Sequence, residues 1–197
     1  MKKTFKTIED LENSLMQPVT PEEQKERKEK AKEIKAKEWI EKFEKKPEVT
    51  KNPDGSYDVD GDVFLNDKHF EKIPVKFNVV KGNFYGNGNR FTSLEGSPKE
   101  VGGTFWCSSN NLTTLEGGPE EVGGGFFCDY NYLTSLKGAP KKVGVSFTCS
   151  GNKLRTLEGI PKEIGGDFWC EYNRGMKIEP SDVLALSTVR AKIRLTM

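Results

Sequence analysis

Four cysteines are the residues of this chain whose chemistry is most open to question. They are numerous enough for a zinc site with four ligands or for disulfide bonds. The chain has 197 residues but a single histidine, His69, so its composition argues against histidine-based triads and histidine-rich metal sites. The cysteines are spaced by a constant 21 residues, at Cys107, Cys128, Cys149 and Cys170.

The same spacing runs through much of the chain. About six rows of 21 residues cover residues 59–178 without insertion, and we number them 1 to 6, with columns 1 to 21 along each row. The rows start at Val59, Val80, Val101, Val122, Val143 and Ile164.

The columns predict short β-strands. Columns 5 and 7 are apolar and alternate with polar or variable neighbours, which is strand periodicity. Column 5 holds Val63, Phe84, Phe105, Phe126, Phe147 and Phe168. Column 10 holds asparagine in rows 2 to 6, and such an amide at the end of a strand can satisfy the backbone of a turn.

This placement decides the chemistry of the cysteines, which occupy column 7. Neighbouring strands lie about 4.8 Å apart, so four sulfurs in one column would span roughly 14 Å. A zinc ion needs its sulfur ligands at about 2.3 Å, and the Cβ atoms of a disulfide lie about 3.8 Å apart. The spacing therefore predicts a buried ladder of reduced thiols that act as small apolar side chains. We predict no catalytic residue, no metal site and no cofactor.

The row resembles the repeat of leucine-rich repeat proteins. The phrase F-x-C-x-x-N-x-L-T-x-L is similar to their L-x-L-x-x-N-x-L core, and is closest to the short repeats of bacterial and tailed-phage members. The resemblance implies an α/β repeat solenoid, with a parallel β-sheet on the concave face and tight turns on the convex face. Row 1 lacks the column 10 asparagine and row 6 loses its leucine at Gly175, which is typical of capping rows.

The candidate binding surface comes from the columns that the strand pattern turns outward. Column 6 lies between two buried columns and must face away from the core. Its aromatic members are Phe64, Tyr85, Trp106, Phe127 and Trp169. Columns 8 and 9, beside it, add Asp129, Tyr130, Glu171 and Tyr172. Because Trp and Tyr dominate binding hot spots, we expect these residues to bind a partner on the concave face.

Two other interpretations of the aromatic column stay open. A helix that carries Trp39, Ile40 and Phe43 could lie across it. Alternatively, aromatic stacking between strands could account for the rings without any partner.

Helices are predicted on both sides of the repeats. Thr20-Pro21-Glu22-Glu23 has the signature of a helix start with a capping box, and pairs such as Glu26 with Lys30 support the turns that follow. A shorter helix is predicted at residues 8–16, and a closing helix at residues 181–197, capped by Ser181 or Asp182. We therefore predict a helical segment (1–51), a solenoid (59–178) and a C-terminal capping helix (179–197).

Composition excludes several classes of function. A net charge of +1 argues against a dedicated nucleic-acid binder, and no apolar run approaches the roughly 20 residues that span a bilayer. The N-terminal sequence MKKTFKTIEDLENSL has no apolar stretch after its lysines, unlike a secretory signal. We therefore expect a cytoplasmic protein, in the host cytosol if a phage encodes it.

The sequence thus predicts a non-enzymatic protein-protein interaction module. In a phage setting, its partner would be a host or defence protein, or an assembly partner. Two alternatives remain: a glycan-binding module of a virion or cell surface, and a structural protein that self-associates.

Overall fold

The computed structural model of the chain describes residues 20–173 and 179–195. The chain divides into two compact units, Met1–Lys46 and Pro47–Met197. Residues 47–51, which the sequence analysis placed with the helical segment, therefore belong to the second unit. The predicted helix at residues 8–16 lies outside the described residues, as does the end of row 6 at residues 174–178.

The described part of the first unit is one long helix, α1 (Pro21–Glu44). Thr20 is its N-cap, and the predicted capping box with Glu23 is confirmed: the Thr20 hydroxyl accepts the Glu23 N–H at 3.2 Å, and the Glu23 carboxylate accepts the Thr20 N–H at 3.0 Å. The predicted pair of Glu26 with Lys30 also forms, at 3.7 Å.

The second unit is a parallel β-solenoid with two sheets, whose strands we number in chain order. Sheet 1 has eight strands, in the spatial order β1 (Val49–Lys51), β2 (Tyr57–Val59), β4 (Phe77–Val80), β6 (Glu100–Val101), β8 (Glu121–Val122), β10 (Lys142–Val143), β12 (Glu163–Ile164) and β14 (Thr188–Val189). Sheet 2 has seven strands, in the order β3 (Val63–Phe64), β5 (Phe84–Tyr85), β7 (Phe105–Trp106), β9 (Phe126–Phe127), β11 (Phe147–Thr148), β13 (Phe168–Trp169) and β15 (Ile193–Arg194).

The register of the sheets follows the 21-residue period. In sheet 2, Phe84 pairs with Phe105, Phe105 with Phe126, and so on along column 5. All pairings are parallel except the first, in which β1 lies antiparallel to β2 at the edge of sheet 1. The predicted 21-residue parallel solenoid is therefore confirmed.

Sheet 1 was not predicted. Each of its repeating strands is a pair of residues, a polar one in column 21 and a Val or Ile in column 1, and two residues are too few to show a period. Glycine in column 2 lets successive coils approach closely. A Cβ atom at any of these glycines would lie between 1.9 and 2.2 Å from a carbonyl oxygen of the preceding coil; they are Gly102, Gly123, Gly144 and Gly165.

The core of the solenoid is built from ladders of identical side chains. The column 5 phenylalanines are fully buried, and their rings stack with centroids 4.8–5.9 Å apart. Burying one such ring contributes roughly 1.5–3 kcal/mol.

The four cysteines are buried free thiols, as predicted, and burial raises the pKa of Cys107, Cys128 and Cys149 well above its ordinary value. These thiols are therefore protonated and act as apolar groups.

The column 10 asparagines bridge one coil to the next, and each is buried. The Asn131 amide donates to the carbonyls of Cys107, one coil back, at 3.0 Å, and of Cys128 at 3.1 Å. Its carbonyl accepts the Leu112 N–H at 3.0 Å. The same pattern recurs at Asn89, Asn110, Asn152 and Asn173, whose carbonyls accept the N–H groups of Phe70, Phe91, Leu133 and Leu154. The predicted role of this column in the turns is confirmed.

The C-terminal segment differs from the closing helix that was predicted. Its helix, α2, ends after seven residues (Pro180–Leu186), and the Asp182 carboxylate accepts the Glu179 N–H at 2.8 Å at its start. Strands β14 and β15 then extend the two sheets. The Thr188 N–H donates to Lys162 at 2.9 Å, and the Cys170 N–H donates to Arg194 at 2.9 Å. The open edges of the sheets offer backbone hydrogen bonds that a longer helix would leave unmade.

Replacing Asn131 with alanine should lower the free energy of unfolding by about 3 kcal/mol or more. The substitution leaves the buried Leu112 N–H without a partner, which costs about 1–3 kcal/mol. It also removes one of the two amide donors to each of the Cys107 and Cys128 carbonyls, at about 1 kcal/mol each. Asn111→Ala is the matched control, since Asn111 is exposed. Urea unfolding of both variants measures the effect, and equal losses of stability in the two would contradict this role for the buried amide.

Candidate binding face

The aromatic members of column 6 form a stack on the face of sheet 2 that points away from the core. We call this stack the aromatic ladder. Its ring centroids are 4.9 Å apart between Phe64 and Tyr85, 4.6 Å between Tyr85 and Trp106, and 5.6 Å between Trp106 and Phe127. The first two pairs are almost parallel, with planes 4° and 6° apart. Neighbouring rings therefore cover each other's faces, and the inner rungs present mainly their edges.

The ladder is interrupted at row 5, where Thr148 stands in column 6. Thr148 is buried, at 5% exposed, although its column was predicted to face outward. Trp169 follows in row 6, and beyond it the Arg194 guanidinium carbon lies 4.8 Å from the Trp169 ring centroid. Because β13 pairs with β15 with Trp169 opposite Arg194, this arginine occupies the next rung of the ladder. Nε1 of Trp169 is buried, with no hydrogen-bond acceptor in the described part of the chain.

Asp129 is a half-buried carboxylate beside the interruption. Its Oδ2 accepts a short hydrogen bond from the Thr148 hydroxyl, and its Oδ1 accepts the Ser150 N–H at 2.8 Å. The Ser108 hydroxyl donates a longer bond to Oδ2 at 3.4 Å. Burial raises the pKa of Asp129, and these hydrogen bonds oppose that shift.

Column 9 has a backbone conformation that suits glycine. Its φ angle is positive in every row, with glycine in rows 2 and 5 (Gly88 and Gly151). Tyrosine stands there at Tyr130 (φ 53°) and Tyr172 (φ 57°). A bulky residue in this region is strained by about 1 kcal/mol or more. The two side chains are nevertheless 64% and 60% exposed, so packing into the core does not explain their retention.

The nine candidate residues all lie on this outward face, but in two groups. Phe64, Tyr85, Trp106 and Phe127 form one continuous stack, whereas Trp169 lies beyond Thr148. Asp129 and Glu171 are half-buried in column 8. The ring of Tyr130 packs against Gly151 of the next coil. A Cβ atom added at Gly151 would lie 2.6 Å from a Tyr130 ring carbon.

The sequence did not show that Thr148 is buried or that Arg194, read there only as part of a basic C-terminal segment, continues the ladder. Thr148 was visible as the only non-aromatic member of column 6, and this break in the pattern was the available signal. Arg194 lies beyond the 21-residue register, because the last step of sheet 2 from Phe168 to Ile193 spans 25 residues.

Within residues 20–173 and 179–195, no three His, Cys, Asp or Glu side chains are grouped so as to hold a metal ion. In the same ranges, no helix combines the length and apolar character that crossing a membrane requires.

Comparison with models of known protein families, with curated proteins and with solved structures gave no match to this chain.

Replacing Asp129 with asparagine should change how stability depends on pH. Since the folded-state pKa of Asp129 is raised above its ordinary value of 3.8, folding favours the protonated acid, and its ionisation lowers the free energy of unfolding as the pH rises through the raised pKa. Thermal midpoints of wild type and Asp129→Asn, measured from pH 3 to neutrality, test this. The thermal midpoint of the variant, relative to that of wild type, should rise as the pH rises. A relative fall would contradict the prediction.

Replacing Tyr172 with glycine should leave the thermal midpoint unchanged or raise it, because glycine relieves the positive φ angle. Tyr132 is the matched control, since it is 47% exposed and does not have a positive φ angle. Tyr132→Gly should cost about 0.5–1 kcal/mol through backbone entropy. Equal destabilisation by the two substitutions would show that Tyr172 is not strained.

Proposed function

We propose that this protein is a non-enzymatic binding module that engages a protein partner through the outward face of sheet 2. The strained tyrosines carry this proposal. At Tyr130 and Tyr172 the backbone favours glycine, and other rows of the same column have glycine, yet these rows keep a large exposed ring. Strained residues persist where a side chain has a function that its replacement would lose.

The aromatic ladder supports the same face. Tyr85, Trp106, Phe127 and Trp169 are half-buried, so a partner can complete their burial at a low cost in conformational entropy, because the stack already holds the rings. Aromatic side chains of this kind are enriched at the centres of protein interfaces.

The geometry of the rings favours a protein partner over a glycan. A sugar packs against the face of an aromatic ring, whereas the faces of Tyr85 and Trp106 are covered by their neighbours in the ladder. Ring edges and exposed tyrosine hydroxyls suit the mixed apolar and polar surface of a polypeptide.

More specifically, we propose that this chain is a leucine-rich repeat protein with the short repeats of bacterial and tailed-phage members. In that family this face would be the concave face of the solenoid. In that setting the protein acts in the cytoplasm, and its partner is a host or defence protein or an assembly partner. The repeat phrase F-x-C-x-x-N-x-L-T-x-L supports this identity.

A comparison of three immobilised proteins tests the proposed face. Wild type, Tyr130→Gly/Tyr172→Gly and Tyr132→Gly are each exposed to bacterial lysate, retained proteins are identified by mass spectrometry, and the purified partner is titrated against each. We expect the double variant to bind about tenfold more weakly or worse, since hot-spot residues contribute more than about 1.4 kcal/mol each. Tyr132→Gly should bind like wild type.

The thermal midpoints of the variants serve as the folding control. A partner that binds the folded double variant as tightly as wild type would overturn the assignment of this face. The absence of any retained partner, together with a dimer mass in light scattering, would support self-association instead.

A further inference from the structure

Within rows 1 to 6, the outward face of sheet 2 carries charge of one sign, and Arg194 follows beyond row 6. Its positions are columns 4, 6, 8 and 9, and in all six rows these hold no lysine, arginine or histidine. They do hold five carboxylates: Asp62, Asp67, Asp129, Asp167 and Glu171. Since the net charge of the whole chain is +1, these columns are more acidic than the chain as a whole.

The side of sheet 1 carries charges of both signs, and several of them form ion pairs. Lysines from one coil pair with acids from the next, as in Lys81 with Asp60 at 3.0 Å and Lys141 with Glu120 at 2.9 Å. In contrast, no cation in residues 20–173 or 179–195 forms an ion pair with any of the four aspartates of the sheet 2 face. Their hydrogen bonds come from neutral groups, such as the Asn83 N–H to Asp62 and the Lys192 backbone N–H to Asp167.

One of these carboxylates lies at the interruption of the aromatic ladder. The Asp129 side chain is hydrogen-bonded to Thr148, the residue that replaces the ring of row 5. The rungs on either side of that position are Phe127 and Trp169. Thr148 itself is buried, so a partner group binds above it, where it meets the exposed parts of these rings and the half-buried Asp129 carboxylate together. The group that complements both is a cation.

The chain itself shows which cation its ladder accepts. Arg194 lies over Trp169 in the rung where the next aromatic residue would stand. A planar guanidinium can stack on a ring and still donate hydrogen bonds to carboxylates in its own plane, whereas an ammonium cannot stack. Lys153 also lies over an outward tyrosine, with Nζ 4.4 Å from the centroid of Tyr132, although outside these columns.

We propose that the partner segment bound by this face is an arginine-bearing polypeptide, with a guanidinium packed at the interruption of the ladder and paired with Asp129. Glu171 extends the acidic surface in the same column, and Tyr130 and Tyr172 flank the guanidinium in column 9. This inference rests on the proposed function and names the chemistry of its partner.

Fluorescence anisotropy with a labelled octapeptide of alternating arginine and glycine tests the inference at low ionic strength. Two probes of the same length serve as references: one with lysine in place of arginine, and one with citrulline, which keeps the shape of arginine without its charge. We expect the arginine peptide to bind more tightly than the lysine peptide, and the citrulline peptide to bind the weakest.

Asp129→Asn/Glu171→Gln should weaken the arginine peptide about tenfold, because it removes the charges that pair with the guanidinium. Asparagine keeps an oxygen that can accept the Ser150 N–H. The matched control, Glu100→Gln/Glu121→Gln, makes the same change in net charge on sheet 1 and should leave the affinity close to wild type. If Asp129→Asn lowers the thermal midpoint, Glu171→Gln alone provides a second test, because it leaves the hydrogen bonds of Asp129 in place and should still weaken the arginine peptide.

Three results would overturn the inference: no binding of the arginine peptide to wild type, equal affinities for the arginine and lysine peptides, or equal losses in the two double variants. The proposed function fails separately. A natural partner that is lost with Tyr130→Gly/Tyr172→Gly but retained by Asp129→Asn/Glu171→Gln would leave the binding face in place and refute only its preference for arginine.

Discussion

The hydrogen bonds of the column 10 asparagines are the constraint on which the rest of this solenoid depends. Two-residue strands leave most of each coil outside the two sheets. Some backbone groups there pair directly between coils, as the Ser109 N–H does with the Asp129 carbonyl, and the asparagine amides pair with others that are buried. A side-chain amide has both donors and an acceptor, so Asn131 alone satisfies carbonyls of two coils and an N–H of one. This bridge sets where each strand of sheet 2 ends and how the next coil lies upon it.

The uniformity of the inward columns leaves the outward columns free to vary. Each coil packs only against its neighbours, so stability depends on the repetition of Phe, Cys and Asn rather than on any single outward residue. The departures from the repeat therefore gather on the outside. Thr148 interrupts the aromatic ladder, and Tyr130 and Tyr172 stand where glycine fits the backbone better. None of these three residues is explained by the packing of the core.

The two sheets give the solenoid faces of different electrostatic character. On the side of sheet 1, acids and lysines from successive coils pair across the 21-residue step, as Glu120 and Lys141 do. On the outward face of sheet 2, carboxylates are held by neutral hydroxyl and backbone donors among aromatic rings. The net charge of +1 averages over both faces and hides this division.

The sequence by itself determined the period, the inward columns, the buried reduced cysteines and the role of the column 10 asparagines in the turns, because a regular repeat places the same residue type in the same environment many times. It did not reveal sheet 1, whose two-residue strands are too short to show a period. Nor did it reveal that the closing helix would stop at Leu186, since only the open sheet edges make strands favourable there. The tertiary structure alone decided how the outward rings stack, that Thr148 is buried, and that Arg194 continues the ladder. These features depend on contacts between coils. The aligned repeats show which residues are neighbours in successive coils, but not the geometry of their contacts.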